Sequence, residues 1–441
     1  MLIDPGLLAS LGTQISGLSD SEMRVGVVPV DLDPLSFVRS GAHLFPFAGY
    51  FGVPDTDEVG ALGVAWQTSA PYGADRFSDL ARRLGALDLP APVRVMVGFS
   101  FRPEGASHPE WDGFTPTHAV VPLLSIVRAG DTSHLVVVLP PGRSWEDLAM
   151  VLAGLVSPDV PGTGRTTDLT IESRPSPSDW EHAVGETVAT IRSGVVSKVV
   201  MARSVVVSSD MAYRPFDLVD RLRADYPACY VFGWQQGDAT FLGASPELLL
   251  EKHGAMVRSH PLAGSAPRGQ GEDEDRSLGE LLMSSSKDRS EHRMVVDDVA
   301  ERLASLTDTL HVDAVPSLRK TRNVQHLSTE LQGHLNDGQH LVEVAGELHP
   351  TPAVGGSPRA EALSFMDKEE IIDRGWYAGG IGWSDGSGDG VIAVALRCAL
   401  VRGQRAWLYA GAGIVADSNP AAELEETRLK FRTMMNLLAE S

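Results

Sequence analysis

Several stretches carry side chains whose types and spacing suit acid–base or ionic chemistry. In "FLGASPELLL" a strand-like run breaks over Gly243–Pro246 and places Glu247 in front of three leucines. A carboxyl among apolar side chains keeps its proton towards neutrality and can serve as a general acid. The competing reading is an ordinary acid at a helix start, favoured by the helix dipole. In "SKVVMAR" Lys198 heads an apolar run, either as a surface charge or as a base delivered into a pocket. In "MSSSKDRSEHRMVVDDV" Asp288 and Glu291 stand three apart on an expected helix and share a face. In "DSNPAAELEETRLKFRTM" Glu423 and Glu426 repeat that spacing, with Lys430 one turn beyond. Either such pairs are solvated and matched with neighbours such as Lys287 and Arg293, or they hold a divalent cation. Two acidic helix faces are what Mg²⁺ needs, because it takes few carboxylates and completes its shell with water and substrate oxygens.

Two small-residue segments could receive an anion. "HPLAGSAPRG" holds Ala263, Gly264 and Ser265, and "YAGAGIVADSNP" holds Gly411, Ala412 and Gly413. Small residues let backbone N–H groups approach an anion closely; the plainer reading is a tight turn. Neither is a P-loop, since no Gly-Lys-Ser/Thr ending follows. Arg397, inside the apolar "ALRCAL", is either paired or a bidentate clamp for a carboxylate. His326 in "VQHLSTEL" reads as a hydrogen-bonding residue rather than a base.

These side chains need elements to hold them. "SPSDWEHAVGETVATIRSG" predicts a helix capped by Ser178 with Glu181 three residues on, and with Trp180, Val184, Val188 and Ile191 on one face. The strand carrying Lys198 follows. Further strands are expected at Cys229–Trp234, Thr240–Ala244, Ile392–Leu400 and Arg405–Ala410, and helices at Leu278–Leu306, Glu361–Phe365 and from Asn419 onward. Residues up to about 165 alternate short apolar strands with Pro/Gly loops, and "SPDVPGTGRTTDL" reads as a loop or junction. The order of elements argues for an α+β protein with antiparallel sheets covered by helices. Length alone suggests two or three domains.

The formal charge of −21, from 37 basic and 58 acidic residues, disfavours nucleic acid and anionic membranes as partners. An anionic small substrate would need a local cationic or metal-bearing site. Cys229 and Cys398 stand in apolar contexts and read as buried hydrophobes in a reducing compartment. The N-terminus has no secretory pattern and no window has eighteen uninterrupted apolar residues, so a cytoplasmic protein without a membrane span is expected.

Taken together, "SKVVMAR", "FLGASPELLL", "HPLAGSAPRG", "SSSKDRSEHRMVV", "VQHLST", "HPTPAVGGSP", "DRGWYAGGIGWSDGSGDGVIAVALRCA" and "GAGIVADSNPAAELEETRLKF" resemble the chorismate-utilising enzymes. That family includes anthranilate, aminodeoxychorismate, isochorismate and salicylate synthases. The segments run in the family's order from about residue 178 to the C-terminus, while the first 165 residues match loosely. The resemblance implies one large α+β domain, with two big antiparallel β-sheets packed together and helices outside. Residues 1–165 would be its β-rich N-terminal part and residues 166–441 its chorismate-binding catalytic part.

Lysine at position 198 resembles the water-adding members; the ammonia-using anthranilate synthases carry glutamine there. Aminodeoxychorismate synthases carry a nucleophilic lysine where this chain has Ala263. "HPTPAVGG" is similar to isochorismate synthases, since salicylate synthases tend to carry threonine near Ala353. Ser265 replaces the family's usual threonine and keeps its hydroxyl. The implied roles follow. Lys198 would activate water for attack at C2 of chorismate, and Glu247 would protonate the departing C4 hydroxyl. Glu291 and Glu426 would ligate Mg²⁺ directly, with Asp288 and Glu423 acting through water. Arg397 and Tyr377, with the backbone of Gly411, Ala412 and Gly413, would hold the enolpyruvyl carboxylate. Lys430, Gly264 and Ser265 would lie by the ring carboxylate, and His326 would line the same pocket. The product would feed menaquinone or siderophore synthesis. The alternatives are a salicylate synthase and a catalytically silent chorismate-binding homologue. A monomer is expected, with a dimer as the alternative.

Overall fold

The structure, a computed structural model, describes residues 2–70, 72–156 and 168–439. Most of the expected junction "SPDVPGTGRTTDL" lies outside the described residues. Among the described residues nineteen strands form one antiparallel ladder and three more form a small sheet. The ladder forks at the long strand Thr117–Ala129. Its first residues pair with Val95–Phe99, its later ones with Thr132–Leu139, and Asp57–Thr68 runs along most of it. One limb continues from Val95–Phe99 through Gly380–Ser384, Gly390–Val394, Leu248–His253, Met256–His260 and Leu331–Leu335. The other runs from Asp57–Thr68 through Phe47–Gly52, Tyr230–Gln236, Ala239–Ser245, Cys398–Arg402 and Arg405–Ile414 to Lys198–Ser209. These limbs are the two expected sheets, joined through shared strands.

Their inner faces meet in an aromatic layer. Trp234 packs on Trp376 at 5.0 Å between ring centroids, and Phe114 and Phe241 stand edge-on to the same indole. A second apolar cluster fills the outer face of the second limb, where Leu11, Phe216 and Phe431 bring in the helices Pro5–Ser16, Pro215–Asp225 and Pro420–Ala439. No helix among the described residues is long and apolar enough to cross a membrane. Both cysteines are free and buried.

The chain passes between limbs twice near one point. Ala239–Ser245 belongs to the second limb and Leu248–His253 to the first, so Pro246 and Glu247 make one passage. Gly390–Val394 and Cys398–Arg402 make the other, through residues 395–397. The expected single strand Ile392–Leu400 is therefore broken, and Arg397 takes a left-handed φ of 49°. An unbroken apolar run hides this break, because each half is buried in a different sheet.

Other expectations change locally. Ser176, not Ser178, caps the helix Pro177–Arg192, its Oγ accepting from Asp179 N at 3.2 Å. Pro177 then takes the first helical position, which its fixed φ suits. Trp180, Val184, Val188 and Ile191 are buried on one face. The single helix expected over Leu278–Leu306 is two, Glu272–Ser284 and Ser286–Ala304, because Ser285 leaves helical geometry and caps the second. That cap fixes the first turns, where Asp288 and Glu291 sit.

Aromatic packing between the limbs leaves no room at Gly98, where an added Cβ would lie 2.0 Å from the Trp376 ring. Gly98→Ala should lower the unfolding free energy by at least about 1–3 kcal/mol, the usual range for overpacking a core, read from the midpoint of a urea transition.

Candidate active site

A cavity opens beside the two passages. Its wall brings together Glu247, Gly264, Ser265, Asp288, Glu291, His326, Tyr377, Arg397, Gly411, Gly413, Glu423, Glu426 and Lys430. Lys198 stands just behind this wall, its Nζ 2.9 Å from Glu291 Oε1 and its side chain 1% exposed. Ala412 is the exception: it is fully buried in the main core.

Each local fold explains a placement. The β-branched run after Lys198 makes the strand Lys198–Ser209, which pairs with Arg405–Ile414. Residues 411–413 therefore lie inside a strand, which overturns both the anion-loop and the turn readings. Gly413 instead makes space: a Cβ there would come within 2.9 Å of both Glu291 Oε1 and Lys198 Cε. The 263–265 segment is also a strand, paired with Val324–Ser328 and irregular at Gly264, whose φ is 75°. Glycine tolerates this conformation, as at a bulge. Opposite each other across these strands, Ser265 Oγ and His326 Nδ1 are 2.8 Å apart. Glu247 sits between strands, so the helix-start reading falls away.

Burial sorts the charges. Desolvation pushes the Glu247 carboxyl up to about 8, against the pull of the Leu262 backbone, Lys198 and Lys430. It is thus protonated near neutrality. Burial also pushes Glu291 upward, but the Lys198 ammonium outweighs it and holds Glu291 below the usual carboxylate range. This replaces the solvated pairing with Lys287 and Arg293; Arg293 pairs with Asp297 instead. Burial and the neighbouring Glu426 raise Glu423. Burial, then Arg397 and Lys430, keep His326 neutral, and its Nε2 has no hydrogen-bond partner among the described residues. Lys430 Nζ donates to Gly411 O at 2.8 Å and to Glu426 Oε1 at 2.6 Å. Arg397 has no carboxylate ion-paired to its guanidinium among the described residues, and desolvation lowers its pKa. Tyr377 is buried beneath it in the wall and stacks on Tyr409 at 5.4 Å.

The donor set suits a hard dication. Asp288, Glu291, Glu423 and Glu426 offer only oxygens to the cavity, and burial first, then the neighbouring Glu426 carboxylate, raises Glu423. Among the described residues no three potential ligands converge closely enough to hold an ion alone. An ion taking few protein oxygens, and the rest from water and ligand, fits that arrangement.

Sequence reasoning missed part of the wall. Lys287 was read only as a solvent partner, yet it lines the cavity with Val200, Leu262, Val354, Leu396 and Tyr409. Tyr409 had a usable signal, since it immediately precedes the small-residue run Ala410–Gly413, which pairs with Val200–Arg203 of the Lys198 strand. At or just behind the wall there are therefore four basic side chains, Lys198, Lys287, Arg397 and Lys430, and, besides Glu247, four carboxyl side chains, Asp288, Glu291, Glu423 and Glu426. Within a chain of net charge −21, the site is locally balanced. Adding a dication would make it complementary to a dianion.

Comparison with known proteins agrees with this architecture. The chain is 32% identical over 437 residues to the isochorismate synthase MenF of Bacillus subtilis, covering 92% of this chain and 91% of that protein. It is 34% identical over 362 residues to the salicylate biosynthesis isochorismate synthase of Pseudomonas aeruginosa, covering 79% and 75%. The solved structure of the menaquinone-specific isochorismate synthase MenF of Escherichia coli superposes with a TM-score of 0.83 at 28% identity, covering 98% of this chain and 99% of that one. The family model described as chorismate binding enzyme matches residues 26–439, and with nearly the whole chain inside that match, the protein belongs to the chorismate-binding enzyme family.

Proposed function

We propose that this chain is a Mg²⁺-dependent isochorismate synthase, adding water at C2 of chorismate while both ring double bonds shift, C1=C2 to C1=C6 and C5=C6 to C4=C5, and the C4 hydroxyl leaves. The observation that carries the reading is the pairing of opposites at one cavity. A carboxyl held protonated by burial, Glu247, lines the cavity, and a buried lysine, Lys198, stands just behind the wall on Glu291. An acid for the departing hydroxyl and a base for the entering water are what this exchange requires, since hydroxide leaves poorly without a proton. One proton goes to Lys198, one comes from Glu247, and a water is consumed and another released.

The remaining wall supplies orientation. Arg397, free of a protein carboxylate, offers a planar fork to the enolpyruvyl carboxylate. Lys430 and the Ser265–His326 pair face the ring carboxylate. Among the described residues Glu291 is the one carboxylate partner of Lys198, so a base role requires Glu291 to be engaged elsewhere. Mg²⁺ held by Glu291 and Glu426, with Asp288 and Glu423 behind, would supply that competing charge and neutralise the ring carboxylate. The silent-homologue reading is disfavoured because both the acid and the base are present. The names of the relatives span menaquinone and salicylate routes, and we assign the product of this chain to menaquinone or siderophore synthesis.

Product analysis tests the proposal directly. Chorismate incubated with protein and Mg²⁺ should give isochorismate alone; salicylate with pyruvate would make the chain a salicylate synthase, and no turnover would refute both. Chelation should abolish activity, and Glu291→Gln should raise the Mg²⁺ needed for half-maximal rate on the order of tenfold or more. An overlaid titration would contradict the ligand role.

Arg397→Lys keeps the charge but loses the fork. The KM for chorismate should rise roughly tenfold or more, since charge-assisted hydrogen bonds contribute about 1.5–3 kcal/mol.

Glu247→Gln should lower kcat by roughly 10²–10⁴-fold in both directions. It should also change the pH dependence of stability. Between pH 4.5 and about 8 the folded wild type holds a proton that the unfolded chain has released. Wild-type stability should therefore fall relative to Glu247→Gln as pH rises through this window, by up to a few kcal/mol at about 1.4 kcal/mol per unit. Parallel stability curves for the two proteins would remove Glu247 as the buried acid.

A further inference from the structure

The strand Lys198–Ser209 changes partner along its outer edge. Residues 204–209 pair there with Leu169–Arg174, and Lys198 and Val199 pair with Ser357 and Gly356. Between these two ladders residues 200–203 are buried, yet among the described residues no strand runs beside them on that edge. Buried backbone groups need partners, and two side chains take the place of the missing strand. Glu370 Oε1 accepts from Ala202 N at 2.9 Å, and Arg374 Nη2 donates to Val200 O at 2.7 Å. These two side chains are also locked to each other. Arg374 donates through Nε to Glu370 Oε2 at 2.8 Å and through Nη2 to Oε1 at 2.6 Å, a bidentate fork. Its Nη1 donates to Val354 O at 2.9 Å, and the guanidinium lies over the Phe101 ring at 4.2 Å.

We propose that Arg374 and Glu370 are positioning residues for the hydroxyl exchange, a side-chain splice in the ladder that fixes the Lys198 strand against the substrate cavity; the inference rests on the isochorismate synthase reading. Neither side chain lines that cavity, but Val200 and Val354, whose carbonyls share the Arg374 guanidinium, both do. One planar group therefore sets the distance between two parts of the wall, and Lys198 stands two residues before the first of them. The groups assigned to the metal and the ring carboxylate stand on other elements: Glu291 on the helix Ser286–Ala304, and Glu426 and Lys430 on the helix Pro420–Ala439. Tyr377 is held by its N–H to the backbone carbonyl of Arg374 at 2.8 Å, a bond that side-chain substitutions leave in place. Loosening the splice thus displaces the base and spares the groups that bind.

Arg374→Lys keeps the charge but loses the fork. At saturating Mg²⁺ it should lower kcat roughly tenfold to a hundredfold, the effect of a small misplacement at a reacting group, with the KM for chorismate held within about twofold. Glu370→Gln, nearly isosteric and still able to accept from Ala202 N, gives the same split with a smaller loss and serves if Arg374→Lys does not fold. Because the pair acts through Lys198, adding Arg374→Lys to Lys198→Ala should cost less than about twofold further. Leu152→Ala, in the outer apolar cluster, lowers stability away from the site and should keep kcat, which separates positioning from loss of stability. Wild-type kcat in folded Arg374→Lys, a loss confined to KM, or the full loss repeated in the Lys198→Ala background would overturn the role. Hydrogen exchange reads the splice without the reaction: the Ala202 amide should exchange at least about tenfold faster in Arg374→Lys than in wild type, and equal rates would overturn it. Wild-type protein that makes no isochorismate would instead refute the reaction reading, and is seen before any variant is compared.

Discussion

The two passages of the chain between sheets hold the architecture of the site. Backbone groups that leave a ladder in a buried place need partners, and here the passages satisfy one another. Val394 N donates to Glu247 O at 3.1 Å, Ala244 N donates to Arg397 O at 3.2 Å, and Ser245 Oγ donates to Val394 O at 2.5 Å. Neither passage is stable alone. Together they interrupt the packing of the two sheets, and the cavity occupies the interruption. Glu247 and Arg397 reach it because they are the residues at which the chain changes sheets. The left-handed backbone of Arg397, a conformation costing about 1–3 kcal/mol in a non-glycine residue, persists because the bonds on either side fix it.

Around this frame, charge is distributed by contact rather than by sequence neighbourhood. Lys198 finds its carboxylate on the helix Ser286–Ala304, and Lys430 finds Glu426 on its own helix. Glu247 finds none and stays protonated. Burying a charge costs least when it is paired, and the wall accordingly sets Glu291 and Glu426 against lysines and keeps Glu247 as a neutral acid. Gly413 belongs to the same arrangement, since its missing side chain is what allows Lys198 and Glu291 to meet.

Much of this was legible in the sequence because it depended on local spacing. Acids three apart mark one face of a helix whatever the helix packs against, so Asp288 with Glu291 and Glu423 with Glu426 could be read directly. The co-ordered family segments supplied the rest of the site and the fold. What was not legible depended on distant contacts. The break inside Ile392–Leu400 arises from strands that belong to different sheets, and an apolar run looks the same across it. The Lys198–Glu291 pair joins segments far apart in the chain. The choice between Ser176 and Ser178 as a cap turned on a proline that both readings accommodate, and the structure puts that proline inside the helix.

The local balance of the cavity also bears on how a ligand arrives. Paired charges cancel within a few ångströms, so beyond the cavity mouth an approaching anion meets the field of the whole chain, with its 58 acidic and 37 basic residues. That field opposes a dianion and is screened over about 8–10 Å at physiological salt. Encounter with such a ligand is therefore slowest in dilute buffer and quickens as ionic strength rises, the reverse of an electrostatically steered enzyme. The wall that would hold such a ligand and the surface that would delay it are separate properties of one acidic protein.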